Sequence, residues 1–551
     1  MGNRRCTFET MTRWLALVLL AAGTLHAQPS DYDWIIRHAV IYDGSGQPPV
    51  MGDVGIAGDT IRTLGDLSDA HAANEMDVHG LALAPGFINM LSWADAALVK
   101  DGRSMSDLKQ GVTLEVFGEG WSPGPKFRRK NDHWSTLGEF MDYLERKGVS
   151  VNFASFVGAT SVRNYVLGQD NRPPNADELA RMQQLVRNAM EEGAMGLGSS
   201  LIYAPADYAS TEELIALCKV VSESGGMYIT HMRSESDHIY SALREALQIA
   251  TEAKVSAEIY HLKVNHERNW PKMDTVLMRI DSARRAGLRI SANMYTYNAS
   301  GTGMTARIPT WVQEGGIPMM VRRLKDPAIR GRVLNDLKLG IPTKNADPKD
   351  VRILGFRKDS LNRLYRGKSL EEVAALHGRS ADDTMLDLLI ADRSTIPCIF
   401  FLMSEDNVRK VVQQPWVSFC SDAASVALPE PGAGDGAHPR MYGSFARLLA
   451  HYVRDEKLLT VEEAIRRLAT LPATNLGLQR RGALKPGYFA DLVVFDPNSI
   501  QDHATFDKPH QYATGVHHVW VNGKLVLRDG EHTGAMPGRS VRGPGYKKKK
   551  S

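Results

Sequence analysis

The sequence predicts an α/β chain, a (β/α)8 TIM barrel whose two flanks combine into a small β-domain. Three observations predict it. The middle of the chain alternates strand and helix patterns, short strands recur near both ends, and residues suited to hydrolytic chemistry stand where the strand patterns stop.

Taken in order, residues 34–41 alternate apolar side chains and end in Tyr42-Asp43-Gly44, a strand running into a turn. Residues 54–64 read as further short strands. The same texture returns at 491–495 and in a hairpin at 519–526 built around Asn522-Gly523. Between these flanks, Ser210-Thr211-Glu212-Glu213 forms a capping box that opens an apolar-periodic helix to Val221, stopped by Gly225-Gly226. A strand at 227–230 then stops at His231. The helix at 241–253 keeps Leu243, Leu247 and Ala250 on one side, and the strand at 256–260 stops at His261. A helix at 274–286 and a strand at 288–294 follow, ending at Tyr295. Successive strand–helix–strand units imply parallel pairing, and several of them in 551 residues favour the closed eight-stranded form. Residues 309–400 differ, being charged and mostly helical in pattern, as at 318–325 and 370–377. They read as a helical insertion, supplying either two barrel helices or a lid.

Composition narrows the function. With 43% hydrophobic and 23% charged residues the chain is an ordinary folded one. A net charge of +3 is too weak a field for nucleic-acid binding, and most of it can come from the four lysines at 547–550, read as a solvated tail. Arg4, Arg5 and Arg13 accompany an apolar run at 14–22 that is too short to span a bilayer, with Ala27 as a cleavage residue. This reads as an export signal at 1–27, a bacterial periplasmic location and no stable membrane insertion after cleavage. Cys6 lies in that leader; Cys218, Cys398 and Cys420 show no paired spacing, so no disulfide framework is expected.

His231 and His261 stand at the ends of consecutive strands, which lie about 4.8 Å apart in a parallel sheet, so one metal ion is within reach of both. Zinc suits imidazole and carboxylate donors, and a catalytic site keeps one position for water. Two hydrogen-bonded core histidines are the other reading. Asp422 follows a strand at 416–420, placed either as an acid/base beside metal-bound water or as a helix N-cap. Arg233 and Lys263 each lie two residues past a candidate ligand, where a cation can hold a substrate carboxylate or simply face solvent. Tyr295 and Tyr297 offer donors to a substrate oxygen, or pack.

A set of ordered segments runs from about Trp34 to Gly543. It comprises Ala84-Pro85-Gly86-Phe87-Ile88, Gly111-Val112-Thr113, Glu192-Gly193-Ala194-Met195-Gly196-Leu197, Tyr203-Ala204-Pro205, Thr230-His231-Met232-Arg233 and His261-Leu262-Lys263. Ser421-Asp422, His438-Pro439-Arg440 with Tyr442-Gly443, Leu471-Pro472-Ala473, Arg481-Gly482, Pro486-Gly487 and Ala490-Asp491-Leu492-Val493 follow. In order and spacing they resemble the N-acyl-D-amino-acid deacylase (D-aminoacylase) family of the amidohydrolase superfamily. The resemblance implies a barrel at 85–478, a β-sandwich domain from 28–84 and 479–543, and a basic tail at 544–551. It implies zinc on His231 and His261, Asp422 as acid/base, and Lys263 with Tyr295 on the substrate carboxylate; Arg440 falls in a matching motif.

Two departures stand out. Where the family reads P-G-F-I-D-x-H-x-H, this chain has Asn89, Leu91 and Trp93, and neither Leu91 nor Trp93 can ligate zinc. Where the family often carries a cysteine ligand after Gly-Asn, this chain reads Gly118-Glu119-Gly120. One zinc per chain, held by Glu119, His231, His261 and water, is therefore expected, with Glu115 as the fallback ligand. The expected activity is hydrolysis of a carbon–nitrogen bond other than a peptide bond, in a small N-acylated amino acid. The rivals are a D-dipeptide or cyclic amide as substrate, and a catalytically inactive binding protein on the same scaffold.

Overall fold

The computed structural model describes Gly2 and residues 31–340, 346–429 and 436–548; the leader expected at 1–27, with Cys6, and Lys549 and Lys550 of the tail lie outside them. Eight parallel strands make the barrel: β1 (Phe87–Asn89), β2 (Val112–Phe117), β3 (Asn152–Ser155, continued by Val157–Gly158), β4 (Gly196–Ser200), β5 (Met227–His231), β6 (Ser256–Ile259), β7 (Ile290–Met294) and β8 (Val417–Phe419). Neighbours pair in chain order. Strands covered on both faces need side chains that tolerate burial throughout, and β2 and β5 are buried at every residue. The ring closes where the chain beyond β1 runs beside the chain beyond β8. There Ser92 bridges Ala423 in parallel, and the Trp93 amide donates to the Ala423 carbonyl at 3.0 Å.

Helices behind the strands end as their sequences dictate. The helix Thr211–Glu223 is capped by Ser210, whose hydroxyl accepts from the Glu213 amide. The reciprocal half of the expected capping box is diverted, because the Glu213 carboxylate pairs with buried Arg163 at 2.5 Å. Between β7 and β8 lies the insertion. Besides helices it holds an antiparallel sheet of Ser300–Gly303, Pro397–Phe400 and Val351–Ile353, and an apolar core of its own that includes Met304, Met320 and Leu386. It therefore begins at Ser300, before the helical pattern does.

Nine strands from the two flanks form a separate β-domain. Ala82–Pro85 pairs antiparallel with Leu492–Phe495 and so joins the halves, around a core that includes Ile36, Val54, Leu492 and Trp520. Beyond it, the chain returns to the barrel. Phe153 bridges Ser540, the Gly543 amide donates to Gly193, and Lys547 binds Glu191 through its amide and its ammonium. Lys547, the first lysine of the tail, has Glu191 as partner while its side chain stays exposed. No helix among the described residues is long and apolar enough to cross a membrane.

Candidate metal centre and catalytic site

The C-terminal ends of the strands carry the polar side chains, as barrel geometry requires. Glu119 lies two residues past β2, His231 closes β5, and His261 lies two residues past β6. Glu119 Oε1 is 2.9 Å from His231 Nδ1 and 3.1 Å from His261 Nε2, and the imidazoles meet edge to face with centroids 4.5 Å apart. One donor atom from each residue lies within 4.8 Å of the other two, and all three residues are buried. Tetrahedral zinc with bonds of about 2 Å spaces its ligand atoms by about 3.3 Å, so this donor set fits the ion. Burial alone would raise the Glu119 carboxyl; hydrogen bonds from His231 and His261 outweigh it and hold the group below the usual carboxylate range. Burial pushes His231 toward its neutral, metal-binding form.

The cysteine position cannot serve in this backbone. Gly120 has φ +70°, and a Cβ there would lie 2.0 Å from Ser200 Oγ. Glycine is required, and the carboxylate one residue earlier reaches the histidines instead. The fallback ligand is elsewhere. Glu115 accepts from Ser92 Oγ at 2.8 Å and from Ser104 Oγ, away from the histidine pair. It belongs to a buried acid pair beneath β1. Burial raises Asp107 well above its ordinary value, and the neighbouring Glu115 adds to this; burial raises Glu115 to about 7. Asn89, standing where the family has aspartate, donates to Asp107 Oδ2 at 2.7 Å and Ser421 Oγ at 2.8 Å. It fastens β1 to β8 without adding a third acid to that pocket.

Asp422 is buried beside β8, with φ +48°. Its Oδ1 accepts from Trp93 Nε1 at 3.2 Å, and Arg440 Nη1 lies 2.7 Å from its Oδ2. Leu91 is fully buried in the apolar cluster that includes Met90, Leu114 and Tyr295. The Arg440 guanidinium lies 4.6 Å from the Tyr295 ring centroid. Its Nε has no hydrogen-bond partner among the described residues. The Tyr295 hydroxyl donates to Met403 Sδ at 3.4 Å, so Tyr295 serves chiefly as a platform for Arg440.

Two residues expected to contact substrate have protein partners. The Lys263 ammonium has three acceptors within reach: Glu235 Oε1 at 2.6 Å, His261 Nδ1 at 2.8 Å and the His261 carbonyl at 3.3 Å. It braces the His261 ring. Arg233 binds Glu245 through two nitrogens and also donates to the carbonyls of Asp207 and Ala209, which anchors the loop after β4. Glu235 was not singled out by the sequence. Its carboxylate lies 3.1 Å from His261 Nδ1 and 3.6 Å from His231 Nε2. Burial would raise it, but the neighbouring His231 imidazole, the Lys263 ammonium and the hydrogen bond with His261 hold it well below its ordinary value. Its position four residues after His231 was the available signal.

Among known families, the chain matches the amidohydrolase family (Amidohydro_3) over residues 74–527. The chain belongs to the amidohydrolase family. A D-aminoacylase of Alcaligenes xylosoxydans xylosoxydans is 33% identical to this amidohydrolase over 521 residues, 92% of this chain and 97% of that protein. The crystal structure of an N-acyl-D-glutamate deacylase from Bordetella bronchiseptica, complexed with zinc and a phosphonate mimic of the tetrahedral intermediate, superposes with a TM-score of 0.78. It is 28% identical, covering 93% of this chain and 99% of that one. A D-aminoacylase structure described by one-metal activation and second-metal attenuation of its binuclear centre also gives 0.78, at 31% identity over 93% of this chain and all of that one.

Proposed function

We propose that this amidohydrolase is a one-zinc deacylase, which hydrolyses the amide bond of N-acyl-D-amino acids to a carboxylic acid and a free D-amino acid. The observation that carries the reading is the convergence of Glu119, His231 and His261 on one point at the barrel mouth, with the buried carboxylate of Asp422 beyond the C-terminal end of β8. The likeness to D-aminoacylase over nearly the whole chain supplies the substrate class. Glu119, His231 and His261 would hold the zinc, which when bound supplies a Lewis acid for the scissile carbonyl and for water.

The protein's own groups do the rest. Asp422 takes a proton from the attacking water as the carbon–oxygen bond forms. It returns that proton to the amide nitrogen as the carbon–nitrogen bond breaks, so that acid and amine leave with no net gain or loss. Arg440, buried on Tyr295 with donor capacity to spare, is placed to hold the substrate carboxylate. Lys263 and Glu235 keep the His261 ring oriented. The leader-like sequence at 1–27 supports export, which mass analysis of the mature N-terminus checks.

The test is elemental analysis of the purified protein together with turnover of matched N-acetyl-D- and N-acetyl-L-amino acids. About one zinc per chain and release of D-amino acids is the expected result. A zinc-loaded protein active only on D-dipeptides or cyclic amides would move the substrate class. A folded protein that takes up no zinc would overturn the reading in favour of a binding protein.

A further inference from the structure

We infer that Trp93 is a positioning residue for Asp422 and that, with Arg440, it takes the place of a second metal ion, so that this amidohydrolase holds one metal and excludes another. The inference rests on the one-zinc reading above. Its starting point is that both oxygens of the Asp422 carboxylate already have protein partners: the Trp93 indole N–H on Oδ1 at 3.2 Å and the Arg440 guanidinium 2.7 Å from Oδ2. Asp422 is buried, and its backbone is in the left-handed region, which is uncommon for non-glycine residues and is tolerated best by aspartate and asparagine.

The Asp422 amide donates to the Leu91 carbonyl at 2.9 Å, and the Trp93 amide donates to Ala423 at 3.0 Å, so Trp93 and Asp422 are locked side by side on paired strand extensions. A second cation beside Asp422 would meet the Arg440 charge at ion-pair distance. From Leu91 it would gain only a buried apolar side chain. Of the buried carboxyls under β1, Glu115 is engaged by Ser92 and Ser104, and Asp107 is held through its Oδ2 by Asn89. The residues on this side therefore do not fit a metal. They do what a metal would do for a carboxylate, which is to fix its orientation and balance its charge. One D-aminoacylase structure is described by one-metal activation and second-metal attenuation; in this chain the side beside Asp422 does not fit a second metal.

The experiment has two readouts. Metal-free protein is titrated with zinc, unbound ion is removed, and zinc per chain is measured. Wild type is expected to saturate at one and the double variant Leu91→His/Trp93→His at two. A wild type that saturates at two overturns the exclusion. Steady-state kinetics of Trp93→Phe, which keeps an aromatic ring but loses the donor, should show kcat down by roughly 10- to 100-fold, the worth of one hydrogen bond to a charged group. KM and the single zinc should change little, and Trp93→His, which restores an N–H, should recover part of the loss. A Trp93→Phe enzyme with zinc bound and kcat within about twofold of wild type overturns the positioning role. If wild type turns over no N-acyl-D-amino acid, the deacylase reading fails by itself. The zinc count, and the Trp93 indole N–H resonance, expected to move in Asp422→Asn, still decide this inference.

Discussion

On the β2–β5–β6 side of the barrel mouth, Glu119, His231 and His261 bring three donors to one point; on the β1–β8 side, Leu91 and Trp93 stand beside Asp422 and bring no metal ligand. The first side offers three buried donor atoms within 4.8 Å of one another. On the second side a carboxylate is held by an indole and a guanidinium. The contrast separates two tasks that a binuclear centre merges: activating the carbonyl and water, and orienting the proton carrier.

The sharpest break in the comparison is His231→Ala. Zinc content should fall from about one per chain to near zero and turnover should disappear, since two remaining ligands do not make a catalytic zinc site. Asp422→Asn should instead leave zinc in place while kcat drops about 10²- to 10⁴-fold, the usual worth of general acid–base catalysis; loss of zinc with it would show that the two sides are not independent. Arg440→Met should raise KM about 10- to 100-fold for substrates with a free carboxylate. It should act far less on their methyl esters, and equal effects on acid and ester would remove Arg440 from carboxylate binding.

Gly120→Cys tests whether the ancestral-type ligand can be put back. The strained φ and the contact with Ser200 predict a loss of about 1–3 kcal/mol of stability and no gain in zinc affinity, read by denaturation and competitive chelation. The smallest effect concerns the acids under β1. Glu115 titrates at about 7 in the folded protein, above an unfolded value of about 4.3, so between those values the folded state keeps a proton that the unfolded chain has released. Its contribution is therefore complete below the lower value and is lost as pH rises through 7. Glu115→Gln should raise the melting temperature by a few degrees at pH 8 and barely at pH 5; an equal shift at both pH values would show that Glu115 is not the titrating group.

Much of this was legible before any coordinates. The strands ending at His231 and His261 were legible as short strand patterns set between helix patterns, although Thr230 and the buried Glu258 interrupt their apolar runs. Glu119 was reached through the resemblance, as the carboxylate one residue before the position where the family often carries a cysteine. What stayed hidden depends on partners distant in sequence. Nothing near Arg233 says that Glu245 will bind it, and nothing near Lys263 says that Glu235 will reach across from the β5 loop. Trp93 was read only as a residue that cannot ligate zinc, because only the fold aims its N–H at a residue 329 positions away. The strand Ser300–Gly303 carries two glycines and looks like a loop until Pro397–Phe400 pairs with it.

The strap that runs from the β-domain back under β3 and β4 bears on how the chain comes into being. Phe153 waits for Arg539 and Val541, Gly193 for Gly543, and Ala82–Pro85 for Leu492–Phe495. Growing from its N-terminus, a nascent chain has β1 to β8 available by residue 419, yet the underside of its β3–β4 seam stays uncovered for more than a hundred further residues. Through that interval apolar edges such as Val149 and Val151 lack their final cover, the kind of transient exposure that makes incompletely folded chains prone to aggregate.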